Sequence, residues 1–142
     1  MERGFTVLEL LVVLVIAGFV LALSLPRVGG MRDHLAADAA ARDVTIALAV
    51  ARHIATDQGR RIRLRLGQDS LRLDTLIDGG WGQYRSRPGP ASHGVSLSAT
   101  NAVVIFSPLG LTWGVSNTTV TLTRGSHVET VVVSKVGRVR RG

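Results

Sequence analysis

Residues 4–25 read Gly4-Phe5-Thr6-Val7-Leu8-Glu9, followed by a run from Leu10 to Leu25 that only Gly18 and Ser24 interrupt among Leu, Val, Ile, Ala and Phe. Counted from Phe5 the segment has 21 residues, which as an α-helix spans about 31 Å. That length matches the roughly 30 Å hydrocarbon core of a bilayer. A helix buried in the core of so small a domain shows a polar face, and this one offers only Thr6 and Glu9. The stretch therefore predicts a membrane helix. A removed secretory signal fits less well, because the run is long and ends in Leu25-Pro26-Arg27 without a small-x-small cleavage site.

Glu9 is the anomaly. A charge at the centre of a membrane helix costs about 2.5–3.5 kcal/mol on insertion scales, and such a residue is normally kept because it has a partner. Gly4-Phe5 with Glu9 directly before the apolar run, and Gly18 and Pro26 further on, resembles the prepilin signature of type IV pilins and type II secretion pseudopilins. The resemblance implies that a prepilin peptidase cuts between Gly4 and Phe5, that the new Phe5 amine is N-methylated, and that Pro26 bends the helix. It also implies a role for Glu9 in filament assembly. A freed amine and a carboxylate, both poorly solvated in a membrane, are each uncomfortable alone, so pairing Glu9 with the Phe5 amine of an adjacent chain favours assembly and register.

Beyond the run, Gly29-Gly30 is expected to loosen the helix, and Asp33 to restart it. Val44, Leu48, Ala51 and Ala55 recur at helical spacing, one apolar stripe to lay on a sheet, and Gly59 is the expected C-cap. From Arg60 the period changes to two. Ile62, Leu64 and Leu66 alternate with Arg61, Arg63 and Arg65, a half-buried strand with a basic outer face. The turn at 67–70 leads to Leu71, Leu73 and Thr75, completing a hairpin. Residues 78–94, rich in Gly, Pro and Ser and carrying Trp81, Tyr84, Arg85 and Arg87, read as a loop. Further strands are expected near 95–97, 102–106, 118–123 and 128–134, with a hairpin turn at Arg124-Gly125-Ser126. The fold class is thus α+β: a long N-terminal helix, its first half membrane-spanning, packed on an antiparallel β-sheet or two small sheets, as in pilins. The expected divisions are 1–4 as leader, 5–28 as transmembrane and assembly helix, and 29–142 as a periplasmic globular domain with a helix at about 33–58.

The chain ends Val136-Gly137-Arg138-Val139-Arg140-Arg141-Gly142. With the order of helix then strands and the segment Phe106-Ser107-Pro108-Leu109-Gly110, this resembles the H-type minor pseudopilin family, which joins the H subunit of type II secretion, GspH, to the minor pilin FimT. On the secretion side the resemblance implies a structural subunit of the pseudopilus that supports export across the outer membrane. On the FimT side a terminal Gly-Arg-x-Arg is associated with DNA capture in natural transformation. Gly137, Arg138 and Arg140 match it, and Arg141 adds a third charge. The implied partners are other major and minor pilins or pseudopilins, the prepilin peptidase and the inner membrane, with DNA on the alternative reading. The implied location is the bacterial inner membrane, crossed once, with the globular domain in the periplasm.

Composition narrows the chemistry. In 142 residues there is no cysteine, which removes disulfides, thiol catalysis and Cys-ligated metals together. The net charge is +7, and residues 79–142 carry one acid, Glu129, against seven basic residues. Such an imbalance can steer polyanions, although solubility is its commoner use. There is no Gly-x-Ser-x-Gly elbow, no phosphate-binding Gly-x-x-x-x-Gly-Lys-Ser/Thr loop and no His-Glu-x-x-His helix. Asp69, Asp74 and Asp78 fit turn positions better than an acid–base cluster. His34 and His53 are far apart in sequence, and His93 and His127 stand alone, so no metal or cofactor is expected. The Asn117-Thr118-Thr119 glycosylation triplet is weak in a bacterial setting. The expectation is a non-enzymatic subunit.

Overall fold

The computed structural model describes residues 6–114 and 117–142, with the side chains of 24–28 outside that description. Helix α1 runs Val7–Asp57, followed by β1 (Ile62–Leu66), β2 (Ser70–Ile77), β3 (Gly80–Pro88), a short 3-10 turn at Pro90–His93, β4 (Ser96–Ala99), β5 (Val103–Phe106), β6 (Thr118–Arg124), β7 (His127–Val133) and β8 (Val139–Arg141). The chain forms two compact units that divide between Arg32 and Asp33, α1 contributing to both. The α+β class and antiparallel architecture expected from the sequence are what the fold contains.

In the first unit the helix is apolar and exposed, from Val7 at 77% to Leu23 at 72%. Among the described residues no helix is long and apolar enough to cross a membrane; the described side chains of the apolar run stop at Leu23, and the residues completing the expected span fall within 24–28. Pro26 lies inside α1, its side chain outside the described residues.

The second unit is built on the expected stripe. Val44, Leu48, Ala51 and Ala55 are fully buried, together with Ala40, Ala41 and Ala47. These side chains share one buried cluster with residues of two four-stranded antiparallel sheets, ordered β3-β2-β1-β5 and β4-β6-β7-β8. Ile62, Leu64, Leu71, Leu73, Val104 and Phe106 from the first sheet and Val120, Leu122, Val131 and Val133 from the second close one core over it. Alternation of period two places these inward and leaves Arg63, Arg65 and Arg72 on the opposite face of the first sheet.

Two sequence expectations need correction. Residues 29–33 do not interrupt the helix: α1 passes through Gly29 and Gly30 and has no separate start at Asp33. Nothing lies within 4 Å of where a Gly29 Cβ would be, so that glycine serves no close packing within the chain. The segment 78–94 is not a loop, since β3 pairs with β2 over its whole length. Its residues are mostly exposed, as befits an edge strand, so no inward alternation marked it. The basic C-terminus, for which the sequence carried no expectation, forms strand β8, with Val139 opposite Val133 and Arg141 opposite Val131.

Candidate functional site

Two places carry the candidate residues. At the helix start, the Glu9 N–H donates to Thr6 Oγ1 at 3.2 Å, and the Leu10 N–H to the Thr6 carbonyl at 3.2 Å. Thr6 is therefore the N-cap, a role the sequence reading missed although Thr-x-x-Glu is the spacing of a capping box. Glu9 lies exposed in the first turn, where its charge suits the positive end of the helix dipole. No cation lies against it among the described residues. Gly4 and Phe5, the expected cleavage and methylation positions, lie outside them.

At the C-terminal end the three arginines separate. Gly137 is buried at φ +74° in the turn before β8, and its carbonyl accepts from Arg52 Nη1 at 3.1 Å. The Ser134 hydroxyl accepts from the Arg138 N–H at 3.1 Å, closing the turn. Arg138, Arg140 and Arg141 are all exposed, but they differ in their partners. Arg140 sits opposite Val132, whereas Arg141, opposite the buried Val131, is on the helix side of the sheet. There its Nη2 donates to Asp38 of α1 and pairs with Glu129 of β7 at 3.3 Å. The hydrogen bond from Arg141 holds the Asp38 carboxyl below its ordinary value, and the same bond raises Arg141. Arg141 is thus a clamp for the last strand. Arg141→Ala is expected to lower the melting temperature by a few degrees while Arg138→Ala leaves it unchanged, measured by thermal unfolding followed by circular dichroism.

The aromatic and acidic candidates are also redistributed. β3 carries Trp81 and, further along, Arg85 and Arg87. Those two oppose the buried Leu73 and Leu71, while Trp81 carries the Arg63 guanidinium 4.4 Å from its ring centroid. Asp69 and Asp78 flank turns as expected, but Asp74 is a correction: it lies in the middle of β2, 1% exposed. It accepts from Arg63 Nε and Nη2 at 3.0 and 2.7 Å and from Arg72 Nε at 3.1 Å, and Arg65 Nε lies 3.1 Å away. Burial pushes its pKa up, yet the Arg63 hydrogen bonds and the charges of Arg63, Arg65 and Arg72 outweigh that and hold it below 3.8. The short-range reading of aspartate as a turn residue failed because two of the three pairing arginines, Arg63 and Arg65, come from the neighbouring strand. His34 and His127, distant in sequence, bring their ring centroids to 5.3 Å, and His93 Nε2 lies 2.8 Å from Asp43. Among the described residues no group of three potential ligands is arranged to hold a metal.

A helix whose second part lies under two small antiparallel sheets defines a pilin-like subunit, and solved structures of that class share it. The minor pilin FimU of Pseudomonas aeruginosa superposes with a TM-score of 0.63 at 18% identity, covering 72% of this chain and 85% of that one. The minor pseudopilin EpsH of Vibrio cholerae does so with a TM-score of 0.61 at 15% identity, covering 74% and 94%. At these identities the likeness is one of fold. The family comes from the sequence models: residues 40–137 match the type II transport protein GspH model and residues 1–25 the prokaryotic N-terminal methylation motif. The chain belongs to the GspH family. No curated protein matches it.

Proposed function

We propose that this chain is a minor pseudopilin, a structural rather than catalytic subunit of the type II secretion pseudopilus, processed between Gly4 and Phe5 and N-methylated on Phe5. The observation that carries the reading is the first unit: a helix with apolar side chains exposed all round from Val7 to Leu23, capped by Thr6, with Glu9 as its one charge. Exposed apolar surface of this extent needs a covering. The inner membrane supplies it before assembly, in a single pass with the globular part in the periplasm. The helices of neighbouring subunits supply it afterwards. Glu9 then neutralises the Phe5 amine of the next chain, which also sets the axial register.

The test separates charge from capping. Glu9→Gln keeps a capping-box side chain and removes the charge; Glu9→Ala removes both. Both are expected to abolish incorporation into filaments, measured by co-sedimentation with sheared pseudopili, while the protein still accumulates in the membrane. Incorporation of Glu9→Gln at the wild-type level would leave Glu9 as a helix cap only.

The exposure of Arg138 and Arg140 favours a second reading, DNA capture by a pilus. With Arg141 already paired, two phosphate contacts rather than three are available. Affinity for duplex DNA is then expected to fall roughly twelve-fold between 50 and 200 mM salt, and Arg138→Ala/Arg140→Ala to abolish binding. Binding unaffected by that pair of substitutions sinks this second reading.

A further inference from the structure

The outer face of the β3-β2-β1-β5 sheet carries a concentration of charge that the core does not require. Arg65 of β1 and Arg72 of β2 stand directly opposite each other in the antiparallel register, an arrangement that like charges disfavour. Each lies against Asp74 through its Nε, at 3.1 Å. Their side chains are 48% and 44% exposed, and the terminal nitrogens have no protein acceptor among the described residues. Arg63 spends its Nε and Nη2 on the same carboxylate, and Arg61 stacks on Trp113 at 3.8 Å. Three guanidiniums therefore share one carboxylate, and a fourth, Arg61, lies on an indole.

The surroundings are apolar. Val103 opposes Arg65 on β5 and is 37% exposed, and Trp113, 51% exposed, lies along β5 with its backbone N–H donating to the Ile105 carbonyl at 2.7 Å. Arginine beside tryptophan and aliphatic side chains is the composition of protein-interface anchors. A guanidinium fixed by a carboxylate or a ring loses little freedom on binding. A phosphodiester backbone has no use for the apolar margin, and each indole already carries a guanidinium on one face.

We propose that this face is a docking surface for a protein partner that presents carboxylate side chains beside apolar ones, with Arg65 and Arg72 receiving the carboxylates. This rests on the reading of the chain as a filament subunit, for which the partner is a neighbouring subunit of different sequence. A second copy fits poorly. Asp33, Asp38, Asp43 and Glu129 are already paired internally, while Asp57 ends α1 and Asp69 and Asp78 sit in two different hairpin turns.

The probe is a blocked peptide of interleaved glutamates and leucines, titrated against the full chain in detergent micelles. Trp81 and Trp113, the only tryptophans, report by fluorescence. Saturable binding is expected, at least tenfold tighter than for the glutamine counterpart and weakened by salt. Arg65→Gln/Arg72→Gln is expected to reduce affinity about tenfold. Val103→Glu is expected to do the same with both arginines kept, by offering Arg65 an internal carboxylate. Equal binding of the glutamine peptide, or no saturable response, overturns the proposal. So does tighter binding of oligothymidylate that the same substitutions abolish, which assigns the face to nucleic acid. The readout does not depend on assembly, so its failure is distinct from a failure of the Glu9 test.

Discussion

Gly137→Ala is expected to destabilise the globular unit by about 3 kcal/mol or more, seen as a fall of about 10 °C in melting temperature. Two effects add. At φ +74° an alanine pays about 1–2 kcal/mol for the left-handed region. Its Cβ would also stand 2.0 Å from the Gly110 carbonyl oxygen and 3.3 Å from Arg52 Nε. The first neighbour is backbone and cannot swing aside, so the turn must open and give up the Arg52 bond and the entry into β8. Gly142→Ala, with nothing within 4 Å, is the control and is expected to be silent. A Gly137→Ala protein within 0.5 kcal/mol of wild type in urea unfolding contradicts this account. The glycine of the terminal motif thus serves the fold, and lost DNA binding in such a variant would report an altered turn rather than a lost contact.

Asp74→Ala is expected to cost about 2–3 kcal/mol, because it leaves Arg63, Arg65 and Arg72 together on adjacent strands with no counter-charge. The full penalty of a buried pair does not apply, since Arg65 and Arg72 are about half exposed and water screens them. The pH dependence follows from the lowered Asp74 pKa. The folded value lies below the ordinary 3.8, so the stabilisation is fully present above about pH 4 and is lost as pH falls through the folded value. Asp74→Asn is expected to flatten that acid limb, and unfolding by urea at pH 2.5, 4 and 7 reads it. Equal pH profiles for wild type and Asp74→Asn would remove Asp74 from the acid response.

Much of the fold was legible because its signals are local and periodic. The stripe at Val44, Leu48, Ala51 and Ala55 and the alternation through Ile62, Leu64 and Leu66 each state which face is buried. What was missed lacks such periodicity. β3 is an exposed edge strand, so its residues carry no inward alternation. β8 reads as a charged tail, because only Val139 of its three residues is apolar. The candidate arginines at 138, 140 and 141 were visible as a group, but their division was not. It depends on Asp38, 103 residues away in sequence, and no local pattern announces a partner at that distance. The continuity of α1 through Gly29 and Gly30 runs against glycine's weak helix propensity, which a one-residue signal could not reveal.

The polar partners of the second part of α1 have a consequence for biogenesis. Asp43 bonds His93, Arg52 the Gly137 carbonyl, Asp33 Arg124 and Asp38 Arg141, across 50, 85, 91 and 103 residues. Contacts of such separation form late, and the last of them waits for Arg141 to leave the ribosome. The apolar helix start is synthesised more than a hundred residues earlier. On the proposed reading of the N-terminal segment as a membrane anchor, its delivery therefore precedes closure of the globular unit. On that reading, the order of synthesis commits the apolar segment to the membrane before a domain exists that could bury it.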